Sequence, residues 1–144
     1  MAKAFIMKLN GIQPSQLYIN SEKLSRVMKA FDPDRIETLK PIPIKKLEGE
    51  VIYTDGHTRA LAAFTSGLRE IRAFWDDDEL DWEAYGICVE WCKKEGIRTI
   101  ADLKNRIVAK QDYEVLWLDR CKKMQEDLEE KRKRNSLKRD QKPG

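Results

Sequence analysis

The sequence of 144 residues has a single histidine and only three cysteines, and it contains no long apolar run. A helix that spans a bilayer needs about 20 consecutive apolar residues, and no segment approaches that length, so we expect no membrane partner. The opening residues are too short and too often interrupted by lysine to serve as a secretion signal. The cysteines, Cys88, Cys92 and Cys121, suit a reduced compartment better than a disulfide framework. Together these absences predict a cytoplasmic protein.

The scarcity of histidine also argues against a metal centre. Cys88 and Cys92 are one helical turn apart, as metal ligands sometimes are, but His57 is distant in the sequence. A stripe of core residues on a helix explains the two cysteines better. The acidic run at residues 76–79 is typical of a solvated loop that begins the next helix. We therefore predict no metal-binding residue of this kind.

Basic residues are concentrated at the C-terminal end of the chain. Residues 131–144 hold seven lysines and arginines against one acid, Asp140, a net charge of +6. The whole chain carries +3, so the preceding residues carry −3. Apolar residues vanish from this segment except for Leu137, which predicts a disordered basic tail. The mildly acidic body makes a nucleic-acid interface on the folded part unfavourable, and leaves the tail as a candidate for one.

Residues 1–75 carry the signals of a small sheet with packed helices. β-rich runs bounded by turn residues predict strands, and apolar residues spaced by three and four predict helices. The segment at 41–44 is extended because proline excludes helix, and its prolines favour a sheet edge. We predict strands at residues 4–7, 41–44, 50–53 and 69–75, a helix at 22–31 capped by Asn20 or Ser21, and a second helix from about residue 60 that stops at Gly67.

Helical periodicity takes over after residue 75. We predict a helix at 82–94, a second at 100–109 opened by a capping box of Thr99 and Asp102, and a long last helix from Asp112. The last helix carries an apolar stripe made of Trp117, Cys121, Met124 and Leu128. We expect this stripe to pack on the domain or, in a homodimer, on the same helix of a second copy. The predicted organisation is a domain at 1–75, a helical extension at 76–130 and a tail at 131–144.

The most informative stretch is residues 53–60, where a β-rich run turns abruptly into a helix around His57. Gly56 permits a tight backbone turn, and Asp55 and Thr58 are both residue types that cap helices. A strand–turn–helix of this kind aims free backbone N–H groups and the positive end of a helix dipole at one point. The stretch therefore predicts an anion site suited to phosphate. A polar turn before a capped helix, with no ligand, is the alternative that spacing alone leaves open.

Two neighbouring side chains have a functional and a structural interpretation. Arg59, in the first helical turn, is placed to make a bidentate contact to the same anion, or to form a surface bridge with Asp55. Trp75 ends a strand near the site and is a candidate for stacking on a nucleotide base, although packing explains it as well.

Taken together, these segments resemble the ParB/sulfiredoxin superfamily domain, over about half of the chain (residues 12–75). The resemblance implies an α/β (α+β) fold with a small mixed sheet and packed helices, here followed by a helical C-terminal extension. It is carried by Ile12-x-Pro14-x-x-Leu17, Pro41-Ile42-Pro43-Ile44, Val51-Ile52-Tyr53-x-Asp55-Gly56-His57-x-Arg59 and Gly67-Leu68-x-x-Ile71.

The branches of this superfamily differ at the central turn. Sulfiredoxins need a catalytic cysteine between the glycine and the histidine, whereas here His57 follows Gly56 directly. Partition proteins of the ParB type bind CTP and read DNA through a helix-turn-helix, and Thr58 stands in place of their first arginine. Free-serine kinases that use ADP or ATP have Asp-Gly-His-His-Arg and an essential glutamate after the first loop. Glu22 matches that glutamate, while Ser21 and Thr58 depart from the kinase pattern.

The kinase-like resemblance implies a nucleotide site and a phosphotransfer step. The phosphates of ADP or ATP, with CTP as the partition-like alternative, would be held by Gly56, His57, Thr58 and Arg59. The catalytic candidates are Asp55, orienting a hydroxyl or Mg²⁺, His57, contacting the phosphate or the acceptor, and Glu22, acting as general base. Glu22 at a helix start is also an ordinary surface acid that favours the helix dipole.

We therefore expect a nucleotide-binding protein that transfers phosphate to a small hydroxyl substrate such as free serine. The alternative is a non-enzymatic, DNA-associated or partition-like nucleotide switch or interaction module, with the basic tail or the helical extension contacting nucleic acid. A scaffold that binds no ligand is the third hypothesis.

Overall fold

The computed structural model of the protein describes residues 3–140, which form an α+β fold. The strands are β1 (Phe5–Lys8), β2 (Ile19–Asn20), β3 (Ile42–Leu47), β4 (Glu50–Tyr53), β5 (Glu70–Trp75) and β6 (Ile107–Val108). The helices are α1 (Ser21–Ala30), α2 (His57–Thr65), α3 (Trp82–Lys94), α4 (Lys110–Tyr113) and α5 (Asp119–Asp140). Short 3₁₀ segments lie at Leu9–Gly11, Ile36–Thr38 and Ile100–Asn105. A π-helical turn, Glu114–Leu118, joins α4 to α5 without a break, and we call residues 110–140 the last helix. None of the described helices is long and apolar enough to cross a membrane.

Four strands pair into a mixed sheet in the order β1-β5-β3-β4. β1 runs antiparallel to β5, β5 parallel to β3, and β3 antiparallel to β4. The predicted strands at 50–53 and 69–75 are confirmed within a residue. Between β3 and β4 the chain turns at Glu48 and Gly49, which both have positive φ.

The predicted edge position of the proline-rich strand is wrong, because β3 lies between β5 and β4. The carbonyl of Pro43 accepts from Thr54 on the β4 side, whereas the carbonyl of Ile44 accepts from Asp76 on the β5 side. The missing N–H of Pro43 therefore faces the β4 side. There Pro43 lies opposite Thr54, one residue beyond β4, and the Thr54 carbonyl that an N–H at position 43 would meet accepts from the Tyr85 hydroxyl instead.

The helix of the central stretch begins at His57, and its N-cap is Gly56 in the left-handed conformation (φ 81°). No side chain caps this helix, so the expectation that Asp55 or Thr58 would do so is wrong. At the other end, Gly67 has φ 94° and Leu68 donates to the carbonyl of Ala63, which confirms the predicted stop.

The segment predicted as a helix at 100–109 is a 3₁₀ turn followed by β6. The capping box of Thr99 and Asp102 is present, but the helix does not continue, because Ile107 and Val108 pair in parallel with Ile19 and Asn20. β-branched side chains favour that extended pairing.

A single hydrophobic core joins the sheet to the helices that follow residue 75. The core includes Ile44 and Leu61 from the N-terminal half together with Cys88, Leu103 and Trp117 from the C-terminal half. Of the stripe predicted on the last helix, Trp117, Met124 and Leu128 are buried against the same core. Packing on the domain is therefore confirmed.

The last helix continues to Asp140, so residues 131–140 are helical where the sequence predicted disorder. Lysine, arginine and leucine are good helix formers, and residues 131–140 continue a helix that already packs on the core. Arg132 also anchors it to the body through Asp81 (2.8 Å) and Glu83 (3.0 Å). The rest of the predicted tail, residues 141–144, lies outside the described residues.

Candidate functional site

A cavity of about 200 Å³ lies beside the turn at residues 53–60. It is bounded by that turn, by the loop before β2, by α3 and by the last helix. We call it the His57 cavity, and the lining residues used below are Ser15, Asp55, His57, Tyr85, Cys88 and Cys121.

His57 is buried in the first turn of α2, and the loop before β2 fixes its ring. Nε2 accepts a hydrogen bond from the backbone N–H of Ser15 at 2.9 Å, so the proton of the neutral ring resides on Nδ1. The Ser15 hydroxyl in turn donates to the carbonyl of Tyr53 at 2.7 Å. Nδ1 is buried and has no partner among the described residues. The structure therefore leaves one strong donor unused at the site.

Burial lowers the pKa of His57 to about 3, and the positive charge of Lys23 acts in the same direction. The carboxylate of Asp55 opposes this lowering of the pKa. His57 is consequently neutral at physiological pH, and it acts as a hydrogen-bond donor without carrying charge.

Backbone N–H groups of the first turn of α2 provide a second set of donors. The first bond inside the helix runs from Ala60 N–H to the carbonyl of Gly56 at 3.0 Å. The N–H groups of His57, Thr58 and Arg59 donate no hydrogen bond to any other residue in the described part of the chain. Since Gly56, His57 and Thr58 are buried, these groups favour an acceptor at the positive end of the helix dipole.

Arg59 is engaged with the polypeptide itself. Its Nη1 donates to the carbonyls of Pro41 (2.9 Å) and Lys40 (3.2 Å), which fastens the segment before β3 to α2. Burial lowers the pKa of Arg59, while the charge of Asp55 raises it. Gly56 is tightly enclosed, since a Cβ there would lie 3.0 Å from both Arg59 Nη2 and Ile42 Cγ2.

The two acidic candidates occupy different positions. Asp55 is exposed and lines the His57 cavity. Glu22 is exposed in the first turn of α1, where its N–H donates to the capping Asn20 side chain at 3.0 Å. α1 packs against α2, and Met28 of α1 meets Thr65 of α2 towards the C-terminal ends of the two helices. The structure therefore brings Asp55, Gly56, His57, Thr58 and Arg59 together, with Glu22 on the adjacent helix.

Sequence reasoning missed the residues that anchor the turn to the C-terminal helices. The Tyr85 hydroxyl donates to the carbonyl of Thr54 at 2.8 Å, and the Thr54 hydroxyl donates to Asp76 at 2.7 Å. The carboxylates of Asp76, Asp77 and Asp78 lie within 4.8 Å of one another. The Asp76 carboxylate accepts from the Thr54 hydroxyl and from the N–H of Asp78. These bonds are those of a loop, which is what the sequence predicted for this acidic run. No local pattern identifies these long-range partners.

No family model matches the chain, and no curated protein matches it. Among solved structures, the chain is similar to protein Atu1540 from Agrobacterium tumefaciens, with 11% identity and a TM-score of 0.49. The similarity covers 72% of this chain and 62% of that one, so this chain spans less than two thirds of the length of Atu1540. A likeness of this degree carries no argument about activity.

Proposed function

We propose that the turn at residues 53–60 binds the phosphate groups of a nucleotide. ADP or ATP is the expected ligand, with CTP as the alternative, as the resemblance to the ParB/sulfiredoxin superfamily implies. The observation that carries it is the set of unused donors at the start of α2. Three backbone N–H groups and the Nδ1–H of a neutral, buried histidine have no acceptor within the described part of the chain.

Phosphate suits these donors better than other ligands do. Its oxygens accept several hydrogen bonds at once, and its negative charge is favoured by the positive end of the helix dipole. A neutral His57 donates one hydrogen bond without requiring a proton from solvent. Lys23, close enough to affect the pKa of His57, adds positive charge on the side of α1.

The size of the cavity restricts what enters it. A volume of about 200 Å³ is smaller than the pockets of roughly 300–1,000 Å³ that enclose whole drug-sized ligands. Of the turn, Asp55 and His57 line the cavity, whereas Thr58 and Arg59 do not. We therefore propose that the phosphate end of the nucleotide lies at the His57 edge of the cavity, against the first turn of α2, and that the cavity takes a small hydroxyl acceptor such as free serine while the base lies outside. Asp55, which lines the cavity, would orient the acceptor hydroxyl or a Mg²⁺ ion.

A thermal-shift panel with ADP, ATP and CTP, with and without Mg²⁺, tests the binding step. A ligand at about 100 times its dissociation constant stabilises the folded state by about 2.7 kcal/mol, which is readily detected. We expect stabilisation by one nucleotide. The absence of a shift with all three would contradict the proposal.

Arg59→Ala locates the site when it is compared with Arg72→Ala. Both guanidinium groups hold the same stretch of chain, since Arg72 donates to the carbonyl of Leu39 at 2.7 Å. Both variants should lower the basal melting temperature, but only Arg59 lies in the first turn of α2. Loss of the nucleotide-induced shift in Arg59→Ala alone supports a phosphate contact from the Arg59 side chain, and equal shifts in both variants would exclude this side chain from the site.

Phosphotransfer is the second step of the proposal, and Glu22 is its general base. Conversion of free serine with ADP or ATP should be lost in Glu22→Gln while nucleotide binding is kept. Glu70→Gln, another exposed acid at the start of β5, is the matched control. Nucleotide binding without turnover in the parent protein would favour the switch-like alternative.

The basic end of the last helix supports nucleic-acid binding as a second candidate function. Arg134 and Lys138 are exposed and one helical turn apart, so they lie on one face of α5. Such a face would contact phosphates without reading bases, with strong salt dependence. DNA binding that weakens with salt and is lost on removal of residues 131–144 would support this function. Binding retained by the shortened chain would contradict it.

A further inference from the structure

Two cysteines lie where α3 packs on the last helix. Cys88 lies on α3 and Cys121 lies near the start of α5, and both line the His57 cavity. The two thiols interact, so that each shifts the pKa of the other. All three cysteines are free thiols.

The packing of the two helices holds this pair in place. Arg132 binds Asp81 at 2.8 Å, and Trp117 meets Trp91 edge-on with ring centroids 6.2 Å apart. Moving forward along α3 from Asp81 to Trp91 thus corresponds to moving backward along the last helix, which makes the pair antiparallel. Cys88 lies between Asp81 and Trp91 on α3, and Cys121 lies between Trp117 and Arg132 on the last helix. The two cysteines are therefore at a similar level of the packed helices, with an anchor on either side.

A metal ion is a poor fit for this cluster. Within residues 3–140, three or more His, Cys, Asp or Glu ligand atoms gather within 4.8 Å only at Asp76, Asp77 and Asp78. His57 and the two thiols form no such group, although they share a cavity. The chemistry left to two adjacent sulfurs is oxidation to a disulfide.

We propose that Cys121 and Cys88 form a peroxide-reactive dithiol site beside the cavity. The Cys121 thiolate attacks one oxygen of hydrogen peroxide and breaks the O–O bond, which gives a sulfenic acid and a hydroxide that takes up a proton to become water. The Cys88 sulfur then attacks the sulfenic sulfur and releases its hydroxyl group, which leaves as water with the proton of the Cys88 thiol. Peroxide is reduced to two waters, and the two thiols are oxidised to one disulfide that joins α3 to the last helix.

The surroundings of the three cysteines assign their roles. Cys121 is only half-buried, whereas Cys88 is buried, so Cys121 is the attacking thiol. The interaction with Cys88 lowers the pKa of Cys121, and the nearby Arg120 acts in the same direction. The same interaction raises the pKa of Cys88, which suits the resolving thiol. Cys92 is fully buried, and burial raises its pKa to about 12, so it stays unreacted.

The test treats the reduced full-length protein with hydrogen peroxide and then blocks the remaining thiols with iodoacetamide in denaturant, so that the buried Cys92 is also alkylated. The chain should lose the mass of two hydrogen atoms, carry one blocked cysteine at Cys92, and yield a non-reduced peptide that contains Cys88 linked to Cys121. Dithiothreitol should then restore three blockable thiols. This measurement uses the parent protein and does not depend on any variant folding.

Cys92→Ala is the matched control for Cys88→Ala, because the two positions are one turn apart on α3. Cys92→Ala should form the same disulfide, whereas Cys88→Ala should trap Cys121 as a sulfenic acid that dimedone labels. Any of three results would overturn the proposal. They are three blockable thiols after peroxide treatment, a disulfide that includes Cys92, and a disulfide between two chains. None of these readouts involves a nucleotide, so the inference stands or fails independently of the proposed function.

Discussion

The backbone N–H of Ser15 donates to Nε2 of His57 at 2.9 Å, across 42 positions of sequence. This bond assigns the proton of the ring to Nδ1 and ties the loop before β2 to the start of α2. The single histidine is thereby a neutral donor at the edge of the cavity, and its protonation opposes folding.

Stability should fall as the pH drops below the ordinary range of histidine. Burial lowers the pKa of His57 from 6.5 to about 3, so between these values the unfolded chain binds a proton that the folded chain does not. The contribution is complete above pH 6.5 and is lost progressively as the pH falls towards 3, by up to about 1.4 kcal/mol per pH unit. Urea unfolding across this interval measures the slope. His57→Gln should show a shallower slope, and equal slopes in the two proteins would contradict the burial of a neutral ring.

Gly56→Ala should destabilise the protein more than Gly49→Ala does. Both glycines have positive φ, 81° and 82°, so both substitutions carry a left-handed backbone cost of roughly 1–2 kcal/mol. Only at Gly56 would the new Cβ also meet neighbours at 3.0 Å, since nothing lies within 4 Å at Gly49. Chemical denaturation of both variants isolates this crowding as the difference. Equal losses would mean that the start of α2 is not tightly packed.

Gly86→Ala should stabilise the protein by about 0.5–1 kcal/mol. Gly86 lies in the middle of α3 without a positive φ, and a Cβ there would meet nothing within 4 Å. Alanine reduces the backbone entropy of the unfolded chain without creating a clash. A higher midpoint of urea unfolding is the expected result, and a lower midpoint would show that the face of α3 around Gly86 is more crowded than the structure has it.

Trp117→Ala should be far more damaging than Leu118→Ala, although the residues are adjacent. Trp117 is 7% exposed and packs on Trp91, whereas Leu118 is 47% exposed. We expect a loss of about 3–5 kcal/mol at Trp117 and well under half of that at Leu118. Melting temperatures of the two variants measure the contrast. Similar losses would mean that the last helix is rotated, so that Trp117 does not face the core.

The elements of the N-terminal half follow closely from local signals. β4, α2 and β5 were predictable because hydrophobic period and turn glycines agree at the same positions, as at Gly67. The position of β3 was not, because proline argues for a sheet edge unless its missing N–H falls beyond the partner strand, as at Pro43. The 3₁₀ turn and β6 were missed because β6 exists only through its pairing with β2.

The candidate site was only partly visible in the sequence. The sequence predicted a site at the turn, since its residues are contiguous: Asp55, Gly56, His57, Thr58 and Arg59. Other features of the site depend on contacts between residues 18 to 42 positions apart in the sequence. These are the bonds from Arg59 to backbone carbonyls, the bond from Ser15 to His57, and the placement of Cys88 near Cys121. Such contacts are set by tertiary packing, which single-sequence patterns do not encode.

The most direct test of the central claim is a ¹⁵N–¹H correlation spectrum of the protein titrated with ATP, ADP and CTP. If phosphate binds at the start of α2, the backbone amide resonances of His57, Thr58 and Arg59 should shift in a saturable way, and further than the amides of α3. Saturable shifts confined to other parts of the chain, or no shifts at all, would contradict phosphate binding at this turn.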